Sequence, residues 1–182
     1  MSSSPTVQVN IFMQVIVDAF WQIVLLRRGP EDLPDSQLLL AMSAALYICV
    51  DLLIIVLLYP ANIYMPLLLA DVGLMVGWTA GALFIFSHLS RIRRTLTALF
   101  GAGAVLQLLA FPLSAWPEFG LPLELPWTFR VVGLILIQLW SIAVYGHILA
   151  RALSRSFGMG VALAVVFFLL SYEIVGRLVP AS

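Results

Sequence analysis

Five apolar stretches, each long enough to cross a lipid bilayer, occupy most of this chain. They run over 38–59, 65–86, 95–113, 129–149 and 159–179. A helix needs about 20 apolar residues to span the hydrocarbon core at about 1.5 Å per residue, and each stretch supplies about that many. Inside lipid every backbone N–H and C=O must be paired within its own segment, so stretches of this length fold as helices. Composition agrees: 63% of residues are apolar and 10% charged, against about half and about a quarter in a soluble domain. The expected fold class is all-α, an integral membrane bundle of five transmembrane helices preceded by an amphipathic interfacial helix. Residues 1–37 are read as an N-terminal cytoplasmic or interfacial helix and hinge, and 38–182 as the transmembrane domain.

The loops orient this bundle. Basic residues in short loops mark the cytoplasmic side. Arg27 and Arg28 precede the first span, Arg91, Arg93 and Arg94 separate the second from the third, and Arg151 and Arg155 separate the fourth from the fifth. The alternate loops differ: YPANIYMP (59–66) is uncharged, and the loop between Trp116 and Trp127 carries Glu118 and Glu124 without a cation. Five spans with the N-terminal region inside and the C-terminus outside satisfy all these loops, and a multi-pass inner-membrane location follows. Tyr59, Tyr64, Trp116 and Trp127 fall at the outer boundaries, where an aromatic belt sits. The first residues lack the basic n-region of a secretory signal.

The segment 7–26 has two readings. Asn10, Gln14, Asp18 and Gln22 recur every fourth residue and form one polar stripe on a helix. A spanning helix would carry Asp18 near mid-bilayer at a cost of about 3 kcal/mol. A helix in the cytoplasmic interface keeps that stripe wet and buries Phe12, Val15, Phe20 and Trp21 in the membrane. The interfacial helix is the expectation, with RRGPEDLPDSQ (27–37) as a hinge and Ser36 or Asp35 as N-cap of the first span.

Net charge is zero, which leaves no basic field for nucleic acid. Cys49 is the only cysteine, so no disulfide or cysteine-built metal site exists within the chain, and its place in an apolar stretch suggests a small core residue. His88 and His147 lie near the inner boundary without partners at metal-ligand spacing. No cofactor or metal is expected.

Ionisable groups at membrane depth are costly and face protein or water. Counting about 1.5 Å per residue from the outer span ends puts Asp51, Asp71 and Glu173 at similar depths in the outer half. Gln107 lies near that level, Arg130 enters the fourth span by the outer face, and Arg177 follows Glu173 at i+4. An intramembrane polar layer of Asp51, Asp71, Gln107, Arg130, Glu173 and Arg177 is expected. Two arginines facing three acids leave one acid over, and Asp51 is the candidate. If the arginines close off the acids, the layer fixes helix register. If they do not, an acid there can carry a proton, a cation or a headgroup.

Gly73, Gly77 and Gly81 form a doubled small-xxx-small pattern on the second span, read as a helix-packing face against another span of the chain. Gly101 to Ala104 give the third span a similar surface, and these two spans are expected to be neighbours. The cluster SHLSRIRR (87–94), with Arg91, Arg93 and Arg94, is a candidate contact for anionic lipid headgroups or an acidic partner.

The stretches SRIRRTLTALFGAGAVLQLLAFPL (90–113) and IQLWSIAVYGHILARALSRSFGMGVALAVVFFLL (137–170) resemble the Yip (Ypt-interacting protein) domain and its bacterial relatives. The resemblance covers about half of the chain. It implies five helices with a cytoplasmic N-terminal region, and a proline usual inside that family's third span is displaced here to Pro112. A non-enzymatic membrane protein that organises lipids or partner proteins is the first functional expectation. A small transporter or permeation subunit using the acidic layer is the second. YEIVGR (172–177) carries one glutamate, so no paired intramembrane-protease motif is present. Expected partners are membrane lipids, a protein partner or a second copy.

Overall fold

The computed structural model describes residues 17–114 and 126–179. Five long helices follow one another: α1 (Gln37–Leu58), α2 (Tyr64–Ile85), α3 (Ile92–Ser114), α4 (Trp127–Leu153) and α5 (Phe157–Leu178). Each is long and apolar enough to cross a membrane. Single 3-10 turns at Pro30–Asp32, Ala61–Ile63 and Leu89–Arg91 serve as connectors. Among the described residues there is no strand. The all-α bundle with five membrane-length helices is therefore as expected.

Local chemistry sets the helix ends. The Ser36 hydroxyl accepts from Leu39 N at 3.3 Å and caps α1, satisfying one of the amides that a helix start leaves unpaired. Ser156 does the same for α5, accepting from Met159 N at 3.4 Å. α3 begins earlier than expected and takes Arg93 and Arg94 into its first turn. Cations are unfavourable at a helix N-terminus; here Arg93 ion-pairs with Asp35 at 3.2 Å.

The third span is the hub. More than half of its apolar window is buried, against a third or less in the others, and it contacts α1, α2 and α4. Its small residues make this closeness possible, though not by receiving α2. A Cβ at Gly101 would lie inside the Phe20 ring, and one at Gly103 would strike the Tyr47 ring and the Tyr145 hydroxyl. The small surface of α3 thus houses aromatic rings from the N-terminal segment, α1 and α4. Tyr47 and Phe100 also meet as a tilted pair with centroids 5.3 Å apart.

The expectation for the second span is overturned. Among the described residues a Cβ at Gly73, Gly77 or Gly81 would meet nothing within 4 Å, so this glycine stripe makes no close contact with another described helix. The close backbone approach lies between α4 and α5 instead: a Cβ at Gly160 would fall 2.0 Å from the Gly146 carbonyl oxygen. The core role for Cys49 is likewise corrected, since it is exposed on α1.

The polar-stripe segment is helical over 17–24. Its other face enters the bundle core through Ala19, Phe20, Ile23 and Val24. Phe20 is therefore buried by protein rather than by lipid, because Gly101 leaves a hollow for its ring, whereas Trp21 remains exposed. Asp18 stays at the surface within reach of Arg28 and Gln22. The Trp140 indole donates to the Val24 carbonyl at 2.9 Å, and His147 Nε2 donates to the Arg28 carbonyl at 3.1 Å. Residues 7–16, with Asn10, Phe12, Gln14 and Val15, lie outside the described residues. Trp140→Phe keeps an aromatic ring and removes the N–H. We expect it to loosen this docking by about 1 kcal/mol, read as faster amide hydrogen exchange over 17–24 with the spans unchanged.

The outward faces carry Leu46, Leu53, Leu69, Phe84, Leu136 and Leu169, all exposed. A bundle that turns its leucines outward is built for an apolar solvent. At one end the three basic connectors come together. Arg91 donates to the Ala152 carbonyl and the Ser154 hydroxyl, Arg151 pairs with Glu31, and the Arg155 guanidinium lies 5.3 Å from the Phe86 ring centroid. This is the one-sided clustering that the loops require. Tyr59, Tyr64 and Trp127 lie at the opposite helix ends; Trp116, Glu118 and Glu124 fall outside the described residues.

Candidate functional site

Antiparallel neighbours joined by a short turn bring residues equally far from that turn to one level. Asp51 on α1 and Asp71 on α2 each stand about 10 Å from the helix end at their shared turn, taking about 1.5 Å per residue. Asp51 is 8% exposed. Tyr47 sits one helical turn from Asp51 on the same face of α1, and its hydroxyl donates to Asp71 Oδ2 at 2.5 Å. Gln107 reaches in from α3, donating from Nε2 to Asp51 Oδ1 at 3.2 Å.

Asp71, Tyr47 and Gln107 line a cavity of about 180 Å³ together with Gln138, Ser141 and Tyr145 from α4 and Ser171 from α5. All five spans therefore contribute either to the wall or, through Asp51, to the hydrogen bonds behind it. Gly103 makes room, as no side chain rises from α3 between the two tyrosines. Phe167 and Phe168 back the Tyr145 ring at centroid distances of 5.6 and 5.2 Å. A second cavity of about 240 Å³ shares Gln138, Phe168 and Ser171 with the first and extends to Tyr59 at the helix ends opposite the basic loops.

The polar accounting at this site does not close within the protein. Asp51 Oδ2, Gln107 Oε1 and Gln138 Nε2 are buried with no hydrogen-bond partner among the described residues. Each buried polar atom left unpaired costs about 1–3 kcal/mol, and three of them gather at this level of the bundle.

The six residues expected to form one layer separate into three groups. Asp51, Asp71 and Gln107 converge as described. Glu173 and Arg177 do not join them: they pair with each other at 2.8 Å on the outer face of α5, with side chains 63% and 79% exposed. Arg130 contacts no acid among the described residues and donates to the Leu113 carbonyl at 3.2 Å, in the last turn of α3, where carbonyls lack helical partners. The arginines thus leave Asp51 and Asp71 without a cation. Exposed i,i+4 pairs contribute little, so Arg177→Ala should shift stability by no more than about 0.5 kcal/mol. Thermal unfolding in detergent or nanodiscs reads this directly.

Sequence reasoning missed Tyr47, Gln138, Ser141, Tyr145 and Ser171. A signal was present: 138, 141 and 145 repeat at helical spacing along an otherwise apolar span, and 47 precedes 51 by one turn. Of the arginines named as headgroup contacts, Arg91 clasps the end of α4, Arg93 pairs with Asp35, and Arg94 forms no hydrogen bond or ion pair among the described residues. His88 Nδ1 meets the Phe86 carbonyl. No cluster of metal-ligand type occurs among the described residues. No protein-family model, curated protein or solved structure matches this chain.

Proposed function

We propose that this chain is a non-enzymatic, multi-pass inner-membrane protein that takes a proton or a small monovalent cation from the outer side into the cavity at Asp51 and Asp71, as a small transporter or permeation subunit. The observation that carries this reading is two carboxyls at one level of the bundle with no arginine to neutralise them, Asp71 in the wall of a cavity and Asp51 bonded behind it to Gln107, next to a second cavity that reaches Tyr59. Oxygen atoms of Asp51, Asp71, Gln107 and Tyr47 are hard ligands suited to such ions. With the basic end in the cytoplasm, the N-terminal region is cytoplasmic and the C-terminus periplasmic.

The test is reconstitution into phosphatidylcholine and phosphatidylglycerol liposomes carrying, in separate preparations, a pH-sensitive, a sodium-sensitive or a potassium-sensitive dye. Under an imposed gradient of protons, sodium or potassium, flux above that of empty liposomes is expected for at least one ion. Absence of flux for all three ends the reading.

A second reading, the organiser of lipids or partner proteins, is favoured by the open glycine face of α2. Gly77, Trp78, Gly81 and Leu163 line an apolar groove of about 150 Å³ there, and the Yip-like layout of the second half agrees. A second copy or a lipid chain fits such a face. Crosslinking from Gly77→Cys in a Cys49→Ala background distinguishes the two.

A further inference from the structure

At the basic end of the bundle a separate cavity of about 400 Å³ lies between the start of α3, the end of α4 and the Pro30–Asp32 turn. Its wall includes Arg91, Arg94, Arg151, Glu31 and Ser154. The three guanidiniums come from the Leu89–Arg91 turn, the first turn of α3 and the last turn of α4, which the fold brings together.

Their hydrogen bonds differ in a telling way. Arg91 spends one nitrogen on the Ala152 carbonyl at 2.9 Å and the Ser154 hydroxyl at 2.7 Å. This fixes its plane and leaves other N–H groups of the fork free. Arg151 is held by the Glu31 carboxylate. Arg94 is half-buried in the wall and forms no hydrogen bond or ion pair among the described residues. The Ser154 hydroxyl accepts from Arg91, so its own proton is free to donate into the same space. Three guanidiniums against one carboxylate leave an excess of two positive charges.

We propose that this cavity binds a phosphate monoester, whose charge of about −1.5 to −2 at neutral pH matches that excess. The phosphate oxygens take the fork geometry of arginine in pairs. Glu31 acts as an internal anion that holds Arg151 in place and is displaced when the phosphate enters. The site lies at helix ends, level with a headgroup layer, so the monoester can belong to a lipid or to a soluble phosphate ester. This inference is independent of the acidic cavity.

The experiment uses the full chain in nanodiscs. One arm compares phosphatidylcholine alone with phosphatidylcholine containing phosphatidic acid, and with phosphatidylglycerol at matched surface charge. The other titrates glycerol 3-phosphate into phosphatidylcholine nanodiscs. Binding is read from the shift in melting temperature and by calorimetry. Preference for phosphatidic acid over phosphatidylglycerol, or saturable glycerol 3-phosphate binding, is expected, and which arm responds identifies the source. Arg94→Gln should weaken binding at least tenfold while leaving the unliganded melting temperature unchanged, because Arg94 bonds to nothing among the described residues. Arg93→Gln, which removes an equal charge from the same turn outside the cavity, should have little effect. Glu31→Gln should tighten binding several-fold by freeing Arg151. Equal response to phosphatidylglycerol with no glycerol 3-phosphate binding, equal losses in Arg93→Gln and Arg94→Gln, or weaker binding in Glu31→Gln would each overturn the proposal.

Discussion

Gly160→Leu is expected to lower the stability of the bundle by about 3 kcal/mol or more, at the top of the usual overpacking range. The reason is what a side chain would strike. A Cβ at position 160 falls 2.0 Å from the Gly146 carbonyl oxygen and 2.8 Å from the Ala150 amide nitrogen. Both are backbone atoms of α4 and cannot swing aside, so α4 and α5 would have to separate. In lipid no hydrophobic force draws helices together, and their association rests on close van der Waals contact and interhelical hydrogen bonds. Separation therefore forfeits the main attraction between the pair. Two controls share the substitution. Gly158→Leu and Gly77→Leu place their Cβ atoms in open space and should cost no more than about 0.5 kcal/mol. Unfolding followed by tryptophan fluorescence, with folded abundance in membranes, ranks the three. A Gly77→Leu variant as damaged as Gly160→Leu would show that α2 packs against a second molecule.

This contrast also shows what the amino-acid sequence carries and what it withholds. Span positions follow from the lipid solvent itself, because backbone pairing and apolar length act locally. The five helices accordingly lie within a few residues of the stretches that hydropathy marks. Ser36 is legible as a cap for the same local reason. Helix partnership is not local. A glycine stripe states that a close approach is allowed, not that one occurs, so Gly73, Gly77 and Gly81 attract attention while the actual crossing uses Gly146 and Gly160 from two different spans. Phe20 reads as a lipid-facing residue until Gly101 supplies its hollow.

The acidic site was half legible. Depth counting brings Asp51, Asp71 and Gln107 together because antiparallel spans share a turn. It also brings in Glu173 and Arg177, since depth fixes height along the bundle and not rotation about each helix axis. Rotation is set by packing, which turns Glu173 and Arg177 outward and Tyr145 inward. Arg130 shows a third effect: a long side chain near a helix end has carbonyls to satisfy as well as acids, and Leu113 takes it.

The double variant Asp51→Asn, Asp71→Asn should abolish ion uptake while leaving the fold standing, and the two halves of that statement rest on different atoms. Asparagine keeps the shape of aspartate and one carbonyl oxygen. Gln107 Nε2 can still donate to position 51, and the Tyr47 hydroxyl can still donate to position 71. The structural loss should then stay within about 1 kcal/mol. What disappears is the negative charge of two carboxyls that, among the described residues, have neutral partners and no basic one. Flux in reconstituted liposomes should fall at least tenfold, and any stabilisation of the purified protein by the transported ion should vanish with it. Asp51→Leu sharpens the separation: it leaves Gln107 Nε2 unpaired at a cost of about 1–3 kcal/mol, which the second change Gln107→Leu should largely recover. A buried polar pair replaced together by apolar groups of similar size is commonly neutral. If Asp51→Asn, Asp71→Asn keeps wild-type flux, the cavity is not the ion path. If it unfolds the protein while Asp51→Leu, Gln107→Leu does not, Tyr47 and Asp71 serve to join α1 to α2, and the acids hold the bundle's register rather than an ion.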